Sequence, residues 1–222
     1  MNCTSLPFKI IYHDLHFIII NKPAGMPVYP NHCKKEFSVE TYFPLLSKRK
    51  EGPWLVHRLD KETSGCLVIA LRKQALIQAQ IYFKQKKVTK IYWAIVKGKP
   101  RKPFGIIDVP ISKVTKGKNW YMQIDPKGKP ALTKWKLLGT DNDVSCLELT
   151  LETGRTHQAR IHCATMGHPI VGDKIYSQCK DYSGYHHLFN RYICLPFLPK
   201  IEATAAPPAH MHPLLKHCSV FY

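Results

Sequence analysis

Long apolar runs are missing from this 222-residue chain. Its apolar runs, FIII (Phe17 to Ile20) and CLVIAL (Cys66 to Leu71) among them, are strand-sized, whereas a helix that spans a bilayer needs roughly 20 predominantly apolar residues. A helical membrane span is therefore excluded. The opening MNCTSLPFKIIYHD lacks a basic segment followed by an apolar stretch and a small-residue cleavage site, so no secretory signal is expected and the expected location is the cytoplasm. Acid is scarce as well. Fifteen Asp and Glu stand against 33 Lys and Arg, a formal charge of +18, which suits a polyanionic partner. Without a basic amphipathic helix to lie on lipid, that partner is nucleic acid rather than a membrane surface. Paired cysteines are also absent. The eight cysteines are scattered with no CxxC among them, which excludes zinc-ribbon spacing and leaves reduced, mostly buried thiols as the expectation.

What is present reads mainly as strands. Two short apolar runs flank a polar turn at His13-Asp14, and the second ends at Pro23 and Gly25, predicting a hairpin that feeds a loop. CLVIAL predicts a buried strand. Arg72 to Lys87 carries Leu76, Ala79 and Phe83 at helical spacing, with lysines near its end where cations oppose the dipole. Further strands are predicted at VTKIYWAIVKG, Ile106 to Ile111, Leu132 to Leu138 and Val144 to Leu151. In the last of these, Ser145, Leu147, Leu149 and Leu151 share one face, so the sheet is expected to be covered there. A second helix is predicted after Gly154, capped by Thr156 and closed by Gly167. Two helices among many strands predict an α+β fold with a mixed, largely antiparallel sheet. The length suits one domain over residues 1–222, expected as a monomer, with an atypical tail over residues 182–222 where Pro, His and aromatic residues blur the periodicity.

The charge is concentrated. Lys84 to Lys136 holds fifteen Lys and Arg against Asp108 and Asp125, much of it in Gly- and Pro-punctuated loops that suit phosphate contacts. One such lysine could merely solubilise a loop, but the single sign of the set favours a binding face.

One loop, VHRLDKETSG (Val56 to Gly65), puts two acids, Asp60 and Glu62, two bases, Arg58 and Lys61, and two hydroxyls between two apolar strands. Side chains there can project into a cleft while the backbone is pinned. Arg58 and Lys61 flank Asp60 and favour an ionised carboxylate that can act as a nucleophile. Taken alone, the same residues would also fit a salt-bridged loop or an Asx-turn.

HRLDKETSG resembles the signature loop of the RluA-type pseudouridine synthases, HRLD followed by two variable residues and TSG. Three further stretches resemble that family in order: NKPAGMPVYP (Asn21 to Pro30), KIYWAIVKG (Lys90 to Gly98) and ETGRTHQARIHCATMGHPIVGD (Glu152 to Asp173). The resemblance implies an isomerase acting on uridine in RNA. In that reaction the uracil N1 to C1′ bond breaks, the base turns, and C5 bonds to the same sugar carbon, with no cofactor or metal. It places the catalytic carboxylate at Asp60 and substrate-binding residues at Arg58, Tyr92 and Arg155. RNA, ribosomal or transfer, is the implied partner. Asp60 would attack C1′ or act as a base at the sugar; the residues leave both open.

For Arg155, a cation just before a helix opposes the macrodipole unless an anion accompanies it. His157 and His162 lie five apart, on different sides of a helix, and read as structural or RNA-contacting rather than as metal ligands. The tail's His210, His212, His217 and Cys218 lack a matching ligand set upstream, so no metal site is expected. NKPAG already at Asn21 predicts no separate N-terminal RNA-binding domain, so that RNA is held by the catalytic domain and its basic loops. Two competing readings remain: a non-catalytic RNA-binding module on the same fold, which does not need Asp60, Tyr92 and Arg155 together, and a glycosidase, which normally needs a second carboxylate, for which Glu152 is the candidate.

Overall fold

Short apolar runs bounded by Gly, Pro and polar turns build strands, and the computed structural model follows that pattern over residues 5–30, 36–117, 119–141, 143–177 and 184–222. In chain order the strands and helices begin with β1 (Lys9–His13), β2 (Phe17–Lys22), α1 (Phe43–Leu46), β3 (Trp54–Leu55), β4 (Ser64–Ala70) and α2 (Lys73–Lys84). Then come β5 (Thr89–Lys97), β6 (Phe104–Asp108), β7 (Ile111–Lys116), β8 (Asn119–Ile124), β9 (Leu132–Thr140) and β10 (Val144–Leu151). The chain ends with α3 (Gln158–Thr165), β11 (Leu188–Leu195), β12 (Ile201–Thr204) and α4 (His212–His217). All the strand pairs described are antiparallel, as the α+β reading requires.

Residues divide into two compact units, the first running to Thr89 and taking back Asn190–Pro208, the second Lys90–Phe189 with Ala209–Tyr222. In the first, the predicted hairpin is β1 and β2, and β2 pairs with β4 from Phe17 opposite Ala70 to Lys22 opposite Gly65. Alternate residues of these strands, Phe17, Ile19, Cys66, Val68 and Ala70, share a core with Ala75 and Ala79 of α2. Ala75 and Ala79 lie one turn apart, so a single stripe of the helix meets the sheet. Ile19 and Val68 are fully buried, and each contributes roughly 1.5–3 kcal/mol.

In the second unit β5, β10, β9 and β6 form consecutive antiparallel neighbours, with β7 and β8 as a separate hairpin. Ser145, Leu147, Leu149 and Leu151 are buried, as their alternation predicts. The opposite face of β10 is covered too: Val144 and Cys146 join Trp93, Ile95, Met211 and Leu215 in a second core. The tail's α4 supplies that cover, a role the blurred periodicity did not reveal. The strand predicted at Ile106 to Ile111 is two strands, β6 ending at Asp108 and β7 starting at Ile111. Pro110 sits between them and cannot donate to a ladder. The helix predicted after Gly154 starts later than Thr156: its N-cap is His157, held at φ +54°. Gly167, with φ +83°, closes it as predicted.

Five described cysteines are free, four of them buried, while Cys3, Cys33 and Cys179 lie outside the described residues. Burial pushes the Cys66 and Cys163 thiols up to about 12, which makes them poor nucleophiles. Among the described residues no three His, Cys, Asp or Glu gather as a metal site, and no helix is long and apolar enough to cross a membrane.

Buried histidines give the second unit a pH dependence. Burial, with His210 beside it, pushes His187 down to about 4, although the Val171 and His210 carbonyls at its two ring nitrogens pull the other way. Burial lowers His162 and His210 as well. The unfolded chain takes up these protons from pH 6.5 downward, so the stability they confer is complete above that pH and is lost on acidification toward pH 4. One such histidine accounts for at most about 1.4 kcal/mol per pH unit. Denaturant midpoints measured from pH 7.5 to 4 should therefore fall, and His187→Gln should flatten the slope.

Candidate active site

The quoted loop enters from β3 and leaves into β4. Its residues divide into anchors and exposed groups. The His57 Nε2 accepts the Val68 N–H at 3.1 Å and its ring stacks on Phe83 at 5.1 Å. Leu59 is buried. Arg58, between them, is exposed and Asp60 is partly exposed. The Asp60 carbonyl accepts the Thr63 N–H at 3.1 Å, turning the chain back toward β4. Gly65 has φ +102°, and a Cβ there would run into the backbone of Asn190, so the sharp exit into the strand requires glycine.

A second loop clasps the first from below. The Lys61 carbonyl accepts both the Gly25 N–H at 2.9 Å and the Lys22 ammonium at 3.0 Å. Lys22 also donates to the Pro23 and Met26 carbonyls, each at 2.8 Å. All three ammonium hydrogens thus have acceptors, an arrangement that only the protonated side chain fills. Its side chain is fully buried. Burial pushes Lys22 down to about 7, and the Asp60 carboxylate acts against that shift. On the outer side, Lys61 pairs with Glu36 at 2.5 Å. The sequence reading missed Lys22. Its signal was a lysine closing the strand FIIINK, after an apolar run and immediately before Pro-Ala-Gly.

Tyr92 and Arg155 belong to the second unit. Tyr92 lies in β5 opposite Leu149 and is 8% exposed. Arg155 follows β10 by four residues, at the end of that strand where Thr150 faces Ile91 of β5, so Tyr92 and Arg155 sit at the same end of this unit's sheet. The GRTHQ segment again separates scaffold from exposed group. The Gln158 Oε1 accepts the Arg155 N–H at 3.0 Å and the Thr153 hydroxyl at 2.7 Å. Its Nε2 donates to the Leu132 carbonyl and the Thr133 hydroxyl, both at 3.0 Å. One buried amide therefore fastens the loop to β9 and takes up the Arg155 N–H. Arg155 itself is exposed, and its Nε donates to the Pro130 carbonyl at 3.2 Å.

The remaining charged residues of the motif are structural. Arg160 grips Asp173 through two bonds of 2.7 and 2.9 Å, both side chains buried. Burial acts to raise the Asp173 carboxyl, but Arg160 and two backbone N–H groups outweigh it and hold it below the usual range. His162 is buried between the Thr133 hydroxyl and the Val109 carbonyl. His157 stacks on Trp120 of β8 at 5.0 Å and meets the Tyr176 hydroxyl at 2.9 Å. Glu152, the candidate second carboxylate, pairs with Lys134 at 2.7 Å.

A carboxylate on a pinned loop, basic hairpins and an antiparallel sheet agree with comparison to known proteins. The family described as RNA pseudouridylate synthase matches residues 16–165. An uncharacterized RNA pseudouridine synthase of Zymomonas mobilis is 42% identical over 176 residues, covering 78% of this chain and 80% of that protein. The ribosomal large subunit pseudouridine synthase D of Nitrosomonas europaea is 37% identical over 178 residues, covering 78% of this chain and 51% of that protein. Among solved structures, human RNA pseudouridylate synthase domain containing 1 superposes with a TM-score of 0.79 at 30% identity, covering 98% of this chain and 90% of that one. The chain belongs to the RNA pseudouridylate synthase family. Its curated relatives include proteins named ribosomal large subunit pseudouridine synthase C and D, consistent with the RluA-type resemblance. The chain spans about half the length of several of these relatives.

Proposed function

We propose that this protein converts a specific uridine of ribosomal or transfer RNA to pseudouridine, with Asp60 as the catalytic carboxylate. The observation that carries this reading is the mounting of Asp60: a partly exposed acid on a loop whose backbone is held by the buried Lys22 and by Gly25. Such rigidity is what an attack at, or proton removal from, the sugar demands of a side chain. Asp60 attacks C1′ as the N1 to C1′ bond breaks, or acts as a base at the sugar. The retained uracil turns, and C5 bonds to C1′ as the carboxylate leaves or returns its proton. The proton lost from C5 is replaced by one gained at N1. Atoms balance with no donor or redox partner.

A uridine inside a stem must first leave it, at a cost of a few kcal/mol offset by stacking and phosphate contacts. Tyr92 serves as a stacking surface for the base. Arg155 has its Nε committed to Pro130, and its terminal nitrogens serve a phosphate, the anion that a cation beside the start of α3 calls for. Arg58 and the basic stretch from Lys84 to Lys136 supply the remaining backbone contacts. Among RNAs, the relatives' names favour the large ribosomal subunit. RNA is the only partner the reading requires, and neither metal nor cofactor enters it.

The test is incubation of the purified chain with unmodified ribosomal and transfer RNA, mapping pseudouridine by carbodiimide-blocked primer extension. New stops at defined uridines are expected. Release of free uracil would instead establish a glycosidase. Tight, salt-sensitive binding with unchanged RNA would establish a binding module.

A further inference from the structure

At the end of β4 remote from the Asp60 loop, the first unit holds an open cavity of about 610 Å³. Its walls come from three places: the turn between β1 and β2, the first turns of α2, and the connection from β11 to β12. Phe17, at this end, faces Ala70, while Lys22, at the catalytic end, faces Gly65. Five residues of strand separate them, about 17 Å, and the odd spacing puts the two side chains on opposite faces of the sheet. This is a different site from the one described above.

The lining has two characters. One wall is apolar and partly aromatic. Phe197 is fixed there by Phe17 at 5.2 Å and by Tyr82 at 5.0 Å, and Pro199 and Ile201 continue the surface. Leu198, on the rim, is 99% exposed. The other wall is cationic. Arg72 and Lys73 line it with His16, and the Arg72 Nε is buried without a hydrogen-bond partner, an arrangement that costs stability. The helix behind them starts with no side-chain cap and no acid in its first turn, which adds to the positive potential. The cavity's one acid, Asp14, is already engaged: its carboxylate accepts the His16 and Phe17 N–H groups at 2.8 and 2.6 Å and the Tyr12 hydroxyl at 2.8 Å. Gln74 and Gln78 add amides, which donate and accept.

An apolar, partly aromatic wall, neighbouring amides and a pair of cationic side chains match the three parts of a nucleotide. We propose that this cavity binds a phosphorylated nucleoside, with the base against Phe197 and Pro199, its edge read by Gln74 and Gln78, and the phosphate on Arg72 and Lys73. The volume lies within the range of small-molecule sites. A free mononucleotide and an unpaired nucleotide of a bound RNA share this chemistry; the second source rests on the RNA reading above, whereas the first stands without it.

The experiment titrates the full chain with adenosine 5′-monophosphate and, separately, inorganic phosphate by calorimetry. Adenosine is used so that uridine recognition near Asp60 does not enter the readout. Two variants accompany it: Arg72→Gln, which removes the guanidinium, and Gln78→Trp, which fills the cavity from a helix surface. Both are checked for folding by circular dichroism. Saturable nucleotide binding that weakens about tenfold or more in both variants supports the proposal. If the nucleotide also competes with RNA and Arg72→Gln weakens RNA binding, the occupant is part of the RNA; without competition it is a free nucleotide. Absence of nucleotide binding, binding unchanged in either folded variant, or phosphate binding as tightly as the nucleotide would each overturn it. None of these readings depends on turnover, so a chain that fails to modify RNA can still pass or fail this test.

Discussion

Asp60→Asn is expected to lower the rate of pseudouridine formation by on the order of 10⁴-fold while RNA affinity stays within about threefold. The substitution changes one oxygen for an amide nitrogen and almost no volume. It removes the charge that either attacks C1′ or takes a proton from the sugar, and an amide does neither. The loop itself should survive, because its anchors are other groups: the His57 ring under Val68, the buried Leu59, and the Lys61 carbonyl with its two donors. The two effects are separable by measuring single-turnover rates with excess enzyme alongside equilibrium binding to the same RNA. A variant that kept a tenth of the wild-type rate would remove Asp60 from the chemistry. One that lost binding in parallel with rate would make it a substrate-positioning group instead.

Much of this was legible because strand period and motif coincide. The alternation in Val144 to Leu151 marked β10 to the residue, and HRLD between two apolar runs marked a loop at a strand mouth. The errors have local physical causes. Ile106 to Ile111 read as one strand because its apolar residues are continuous, yet Pro110 interrupts the ladder. Thr156 read as a helix cap because hydroxyls often are, but the helix begins only at Gln158, behind His157, and the Gln158 N–H is taken by the Arg155 carbonyl. The tail gave least, since α4 is too short for its period to register, and its apolar residues matter only once folded against Trp93 and Cys146. Within the motifs, sequence alone could not divide scaffold from surface. Gln158, Arg160 and His162 look as chemical as Arg155 on paper; burial and saturated hydrogen bonds assign them to the frame.

Lys22 makes the strongest case for the frame acting on the site. Lys22→Met should cost about 3–5 kcal/mol, because it takes the ammonium donor from the Pro23 and Met26 carbonyls, leaves the Lys61 carbonyl with the Gly25 N–H alone, and leaves no buried cation near Asp60. For a chain of this length that corresponds to a fall in melting temperature of about 10 °C. At a temperature where the variant is still folded, turnover should drop by on the order of 10²-fold, since a displacement of about 1 Å at the catalytic group suffices. Lys22→Arg should not restore it: a planar guanidinium cannot place three hydrogens on three carbonyls arranged around a single nitrogen. A double-mutant cycle separates two explanations of the stability loss. If the ammonium acts mainly through the Asp60 charge, Lys22→Met should cost much less in an Asp60→Asn background. If it acts mainly by tying the Pro23 to Met26 turn to the Lys61 carbonyl, the cost should be nearly the same in both backgrounds. The geometry favours the second, because all three ammonium hydrogens are spent on backbone oxygens. Near-additivity in stability, together with the loss of turnover, would establish Lys22 as a positioning residue that holds the catalytic loop by its backbone.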